Sequence, residues 1–465
     1  MIELNHQGDG PLYEQIYRQL RAQILNQTLP AGTRLPSSRE LAAQLQISRN
    51  TVNKAYSQLL VEGYLAAVRG SGYYVQQLPQ TFAPARAPQR PGHSRRPAKP
   101  APAVKYDLTN SSHTRNLFPK RAWRKFMLEA LDTLDFEERI STLQSLEGEE
   151  VLRRPLLRYL RQIRGVHCDL DQLIITSGLQ QSLDYLCQLV PATSGRVLME
   201  EPGYPKARVI FEKNHRQVCP AALDDQGICL PAEATGYDFI YTTSSNQFPT
   251  GVMMSAARRR ELLHFAAAKQ AFILEDDYDS ELRYYNRPVP ALQSIDTLDR
   301  VVYLGTFSKI LSPSLRMGYL ILPKQLVAPF KETFKLYNST VNLLNQYTVA
   351  KLLESGEYTK LVRRMNTTFK KRFEAFSAGF ASFKRPLTLS QNLSGQYLLV
   401  EFSAAIDQEE MIARALAEGV RVYPTMEFWR DRAACPDNAL FLGFSKIALA
   451  DIPDCIERLK RAWDD

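Results

Sequence analysis

Val301-Val302-Tyr303-Leu304-Gly305-Thr306-Phe307-Ser308-Lys309 is a short apolar run that ends in a glycine, two hydroxyls and a lysine. Its first four residues, Val301–Leu304, set between longer helical patterns, read as a buried strand of a mainly parallel sheet, with Gly305–Lys309 as a polar cluster after it. Four further runs have the same character: Leu173–Thr176, Val197–Glu200, Phe239–Thr242 and Phe272–Glu275. In sheets of this kind ligands gather beyond the carboxyl ends of the strands. Polar clusters stand at those ends. Thr176-Ser177-Gly178-Leu179-Gln180-Gln181 leads into a helix, Glu275-Asp276-Asp277-Tyr278 closes a strand, and Arg316 follows Lys309 by seven residues. The large C-terminal segment is therefore expected to be α/β.

Each cluster alone has a bland reading: a strand–helix turn, a solvated pair of acids, a surface lysine. Together they fit one chemistry. Pyridoxal phosphate requires an amine for a Schiff base, an acid opposite its ring nitrogen, and donors for its phosphate. Lys309 supplies the amine and Asp276 the acid. Gly178, Leu179, Gln180, Thr306, Ser308 and Arg316 are the candidates around the phosphate, where a glycine turn at a helix N-terminus offers free N–H groups. Tyr278 can donate to the ring hydroxyl, and Tyr204 can stack on the ring face.

The N-terminal segment is built differently. Leu12, Ile16, Leu20 and Ile24 mark one helix face, expected to end at Pro30 and Gly32. Ser37 and Glu40 have capping-box spacing for a second helix. Ser48 can cap a third, whose core side is Val52, Ala55, Tyr56 and Leu59. Tyr64-Leu65 and Tyr73-Tyr74-Val75 flank Arg69-Gly70-Ser71-Gly72 as a small hairpin. Two helices, a tight turn, a third helix and a hairpin describe a winged helix-turn-helix, which presents the third helix to the DNA major groove. Arg49, Thr51, Asn53 and Lys54 fall on or near the exposed side of that helix. Ser37 and Ser48 place helix N-termini near phosphate, Arg39 lies just inside the second helix, and Arg69 and Gly70 suit the wing tip.

The chain of 465 residues has 58 Lys+Arg against 49 Asp+Glu, a formal charge of +9. Its 45% hydrophobic and 23% charged content excludes global disorder. No apolar stretch approaches the roughly 20 residues of a membrane span, and MIELNHQGDG lacks a signal-peptide layout, so a cytoplasmic protein is expected. Six cysteines without a C-x-x-C pair and six scattered histidines give neither a disulfide framework nor a metal site. The charge is unevenly placed. Residues 77–105 hold seven prolines, six Lys/Arg and no acid, +6 in all. Residues 1–76 contribute +2, seven bases less five acids, and residues 106–465 the remaining +1. This divides the chain into a DNA-binding domain (1–76), a basic Pro-rich linker (77–105) and a large domain (106–465).

The first segment resembles the GntR-type winged helix through Leu35-Pro36-Ser37-Ser38-Arg39-Glu40-Leu41-Ala42, Ser48-Arg49-Asn50-Thr51-Val52, Glu62-Gly63-Tyr64 and Arg69-Gly70-Ser71-Gly72. The second resembles the fold type I aminotransferases through the order of its clusters. The whole chain is similar to the MocR (PdxR) family, which joins the two. Further stretches carrying that resemblance are Leu117-Phe118-Pro119 with Trp123, Arg164-Gly165-Val166, Gln247-Phe248-Pro249-Thr250-Gly251 and Gly419-Val420-Arg421-Val422. The resemblance implies a regulator that binds double-stranded DNA at paired promoter sites, holds pyridoxal phosphate, senses an amino-bearing small molecule, and forms a head-to-tail homodimer. Alternatives are a regulator for which pyridoxal phosphate is itself the signal, and an active aminotransferase. Three positions depart from the family pattern. Leu143 stands where a Tyr often reaches the partner's cofactor, Phe248 where many aminotransferases have Asn, and Phe441 where an Arg commonly clamps a substrate carboxylate. Asn246, Arg421 and Arg430 are the residues that could compensate.

Overall fold

The computed structural model describes residues 2–5, 10–78, 103–109, 117–232, 236–285, 289–390, 394–404 and 406–464. The Pro-rich linker lies outside the described residues except at its ends, 77–78 and 103–105. The chain forms two compact units, Met1–Ala101 and Pro102–Asp465.

In the first unit, α1 (Leu12–Leu25), α2 (Ser38–Leu45) and α3 (Arg49–Val61) pack with β1 (Arg34–Leu35), β2 (Leu65–Val68) and β3 (Gly72–Val75). Ile16, Val52, Ala55, Tyr56 and Leu59 are fully buried between them. The α2 capping box forms as the spacing predicts: Ser37 Oγ accepts from the Glu40 N–H, and Glu40 accepts from the Ser37 N–H. Ser48 caps α3 by accepting from the Thr51 N–H. The expected end of α1 is corrected: it stops at Leu25, ahead of Pro30, capped through the Asn26 N–H. The wing also has a third strand, since Arg34 and Leu35 pair with Tyr74 and Tyr73. Two residues leave no period in a sequence.

The second unit is α/β. Its seven-stranded sheet comprises β4 (Leu173–Thr176), β5 (Arg196–Glu200), β6 (Gln217–Ala221), β7 (Phe239–Thr242), β8 (Phe272–Asp277), β9 (Val301–Thr306) and β10 (Gly318–Ile321), in the order β4-β10-β9-β8-β7-β5-β6. All neighbours are parallel except β10, antiparallel to both of its own. All five predicted strands are present. The sequence reading missed β6 and β10. β6 contains Pro220, which an edge strand tolerates because one side needs no N–H partner. β10 is four residues, Gly318-Tyr319-Leu320-Ile321, without flanking signals. Apolar side chains pack on both faces of the sheet, which is why its strands read as continuous apolar runs.

A C-terminal lobe carries β11 (Leu387–Leu389), β12 (Tyr397–Phe402), β13 (Tyr423–Pro424) and β14 (Ala439–Gly443), antiparallel in the order β11-β12-β14-β13. Its side chains alternate. Leu398, Val400, Leu440 and Leu442 enter the main core, whereas Tyr397, Leu399 and Phe441 join a separate aromatic cluster.

Candidate functional site

In the first unit, Arg39, Arg49 and Arg69 are all exposed. Ser37 and Ser48 are exposed caps at the N-termini of α2 and α3. Thr51 and Asn53 are half-buried, and the Thr51 hydroxyl lies 2.9 Å from Ser48 Oγ. Gly70 is exposed with φ +79°, a left-handed conformation that glycine adopts without strain. Lys54, also expected on the outer face, lies with its Nζ 4.2 Å from the Tyr13 ring centre, so α1 holds it. The exposed arginines and two helix N-termini suit phosphate and base-edge contacts.

In the second unit the polar clusters converge at the carboxyl ends of β4, β8 and β9. Asp276 and Asp277 both lie within β8, and both are buried. Strand alternation sends their carboxylates to opposite faces. On one face Asp276 accepts a very short hydrogen bond from the Tyr241 hydroxyl. On the other, Asp277 accepts from Arg164 Nε at 2.7 Å, from Ser280 Oγ at 2.7 Å, and from Tyr303. Burial lifts the Asp276 carboxyl to about 7 despite the Tyr241 hydrogen bond. Burial works the same way on Asp277, but the Arg164 charge and three donors outweigh it and hold that carboxyl below its usual range.

Lys309 follows β9. Burial draws its ammonium down, and Asp279 and Asp276 oppose that shift. Its Nζ stands 5.6 Å from the Tyr278 ring centre. The Tyr278 hydroxyl donates to the Asn246 carbonyl and meets the Tyr397 hydroxyl at 3.1 Å, and Asn246 Nδ2 donates to it at 3.2 Å. Asn246 Nδ2 also donates to Asp279 at 2.7 Å. Burial lifts Asp279 to about 7, against the pull of Lys309 and that hydrogen bond. Burial raises the Tyr204 phenol to about 12; the Asp276 charge adds to the shift and Arg316 opposes it.

The phosphate candidates also gather. Gly178 (φ +109°) precedes the helix Leu179–Leu189, whose N-terminus has no side-chain cap. A Cβ on Gly178 would lie 3.6 Å from Arg316 Nη2, so the turn and the guanidinium share one concavity. Gly318 permits that approach: a Cβ there would lie 2.9 Å from Gly178 Cα. The Leu179 side chain packs in the core and Gln180 is exposed, which leaves their backbone N–H groups to face a ligand. The Ser308 N–H donates to Thr306 Oγ1, closing the turn before Lys309.

These residues fit pyridoxal phosphate. The uncapped helix end with Arg316 matches a phosphate. The buried Asn246 Oδ1 has no hydrogen-bond partner among the described residues, leaving polar capacity beside Tyr278. Sequence reasoning missed Tyr241, Asp279 and Tyr397, which carry no signal beyond their place in apolar or turn segments. Of the three departures, Leu143 is exposed, while Phe248 and Phe441 are buried in one aromatic cluster. Asn246 does reach the Tyr278 hydroxyl. Arg430 donates to the Val218 carbonyl, and Arg421 is exposed on a strand paired with Tyr106–Asp107.

Residues 12–75 match the family described as "Bacterial regulatory proteins, gntR family", and residues 111–429 match "Aminotransferase class I and II". The HTH-type transcriptional regulator YdeL of Bacillus subtilis is 37% identical over 99% of this chain and 98% of its own. The Rhizobium meliloti protein named "Probable rhizopine catabolism regulatory protein MocR" is 32% identical over 100% of this chain and 96% of its own. Among solved structures, kynurenine aminotransferase of Pyrococcus horikoshii superposes with a TM-score of 0.69 at 26% identity, over 78% of this chain and 91% of that one. With a GntR winged helix and an aminotransferase class I and II domain in one chain, matched end to end by such regulators, the protein belongs to the MocR family of HTH-type transcriptional regulators.

Proposed function

We propose that the second unit is a sensor rather than a working aminotransferase, and that it reports an amino-bearing small molecule to the winged helix. The observation that carries this reading is the pairing of an intact Lys309, Asp276 and Asp279 site with Phe441, an apolar side chain at the place where a substrate carboxylate is commonly clamped. Pyridoxal phosphate supplies, when bound, a carbon that can hold Lys309 and pass to another amine. The residues of the chain do the rest. The Leu179–Leu189 helix end and Arg316 hold the phosphate, Asp276 keeps a proton on the ring nitrogen, and Tyr204 and Tyr278 orient the ring. Effector binding shifts the population of large-unit conformers. In a head-to-tail homodimer, that shift alters how two winged helices meet paired DNA sites.

Lys309→Ala tests the reading. It should abolish the effector's influence on promoter binding while leaving basal DNA binding in place. A full effector response in that variant overturns the sensing mechanism. Sustained turnover of amino donors by the wild type overturns the non-enzymatic role. DNA affinity that changes on adding pyridoxal phosphate alone would mean that the cofactor is itself the signal.

A further inference from the structure

Beside Lys309 the unit holds a wall of rings. Phe248 contacts Tyr204, Tyr278, Tyr397, Phe428 and Phe441, with centroid separations of 5.1 to 6.1 Å. Phe441 also stacks on Tyr397 at 4.8 Å and meets Phe428 at 5.1 Å. Sheet register fixes this arrangement, since Phe441 on β14 lies opposite Leu399 on β12 and Tyr423 on β13. Its side chain must leave the sheet on the same face as Tyr397. Tyr278 connects the wall to Lys309.

Two properties follow. The wall is apolar and carries π faces, which favour apolar groups and cations. The acidic groups beside it are the buried carboxyls of Asp276 and Asp279, which stand with the Lys309 amine. Of the described guanidiniums, Arg316 stands by Gly178, Arg208 donates to the Glu427 carbonyl, Arg430 donates to the Val218 carbonyl, and Arg283 donates through Nε to the Ser280 carbonyl. A carboxylate brought against these rings would lose its water without gaining a charged partner from the wall itself.

We propose that the Phe248–Phe428–Phe441–Tyr397 wall makes this unit selective for primary amines that carry no carboxylate on the amino-bearing carbon and have an apolar or aromatic body. This deepens the sensor reading and rests on it.

A matched pair of probes tests it on the full-length, pyridoxal phosphate-loaded protein. 2-Phenylethylamine and L-phenylalanine differ only by the carboxylate. Calorimetric titration, followed in parallel by the fluorescence of Trp429 at the edge of the wall, should give at least about tenfold tighter binding for the amine. Phe441→Arg should reverse the order by supplying a clamp. Phe441→Leu, which keeps the site apolar, should preserve it and guards against a misfolded arginine variant. Equal or tighter binding of L-phenylalanine by the wild type overturns the proposal, as does binding of neither probe. Cofactor uptake is read separately by visible absorbance. Failure to load pyridoxal phosphate at all defeats the sensor reading itself, an outcome distinct from a loaded protein that prefers the amino acid.

Discussion

Asp276 and Asp277 are neighbours in one strand, yet the first meets a tyrosine hydroxyl and the second an arginine on the opposite face of the sheet. Adjacent acids are thereby separated in chemistry. One is poised near neutrality and free to meet a ligand, while the other is locked into the frame.

Replacing Asp276 with Asn should cost cofactor affinity without harming the fold. The variant keeps an acceptor for Tyr241 but loses the charge opposite the ring nitrogen. Loss of a charge-assisted hydrogen bond predicts roughly 10- to 100-fold weaker binding of pyridoxal phosphate, measured by absorbance titration.

Arg164→Met should act on stability instead. Arg164 and Asp277 are each about 1% exposed in their side chains, and removing one member of a buried pair leaves the other charge unpaired. The expected loss is about 3–5 kcal/mol, read as a lower urea midpoint of the large unit.

The cofactor-free protein should lose stability as pH rises from about 4 to about 7. Glu281 is half-buried, accepts from the Tyr159 hydroxyl at 2.6 Å and the Tyr358 hydroxyl at 3.2 Å, and desolvation of its carboxyl pushes it up to about 7. In the unfolded chain the same group titrates near ~4.3. The folded state therefore binds more protons between those values. Its contribution is fully present below the lower one and lost through the upper one. Asp276 and Asp279 add in the same direction. Thermal melts across this window should show a falling Tm, and Glu281→Gln should flatten the slope.

Linker charge and operator choice should separate. Of the six basic residues at 77–105, Lys105 is paired with Asp454 at 2.9 Å, which leaves Arg86, Arg90, Arg95, Arg96 and Lys99. Neutralising those five should reduce the salt slope of DNA binding by up to about 4.5 and leave sequence preference unchanged. Replacing Arg49 with Ala should instead relax that preference. Binding assays at several salt concentrations on matched and mutated sites distinguish the two outcomes.

Much of this was legible in residue order. The two helix caps, the buried face of α3 and five sheet strands follow from spacing alone, because local hydrogen bonds and one-residue periods act within a few positions. Lys309, Asp276 and Gly178 could be nominated because each stands at or just beyond the end of an apolar run, and Arg316 because it follows Lys309 by seven residues. Other features were not legible, for a definite reason. Tyr241 meets Asp276 across 35 positions, and Phe248, in a turn, meets Phe441 on β14, a contact that no local pattern encodes. Sequence could mark Phe248 and Phe441 as separate departures. Only the fold shows them to be one change, a polar corner rebuilt in rings.

The chain enters the large unit at Lys105, whose N–H donates to the Gly419 carbonyl, and Tyr106–Asp107 then pairs with Val420–Arg421. The Leu108 carbonyl accepts from the Gly443 N–H at the end of the strand that bears Phe441, and the Asp107 carboxylate accepts from the Tyr423 hydroxyl. Residues 105–108 are thus fastened to the lobe that carries Phe441, not to the central sheet. Any displacement of this lobe therefore displaces the point at which the second unit begins.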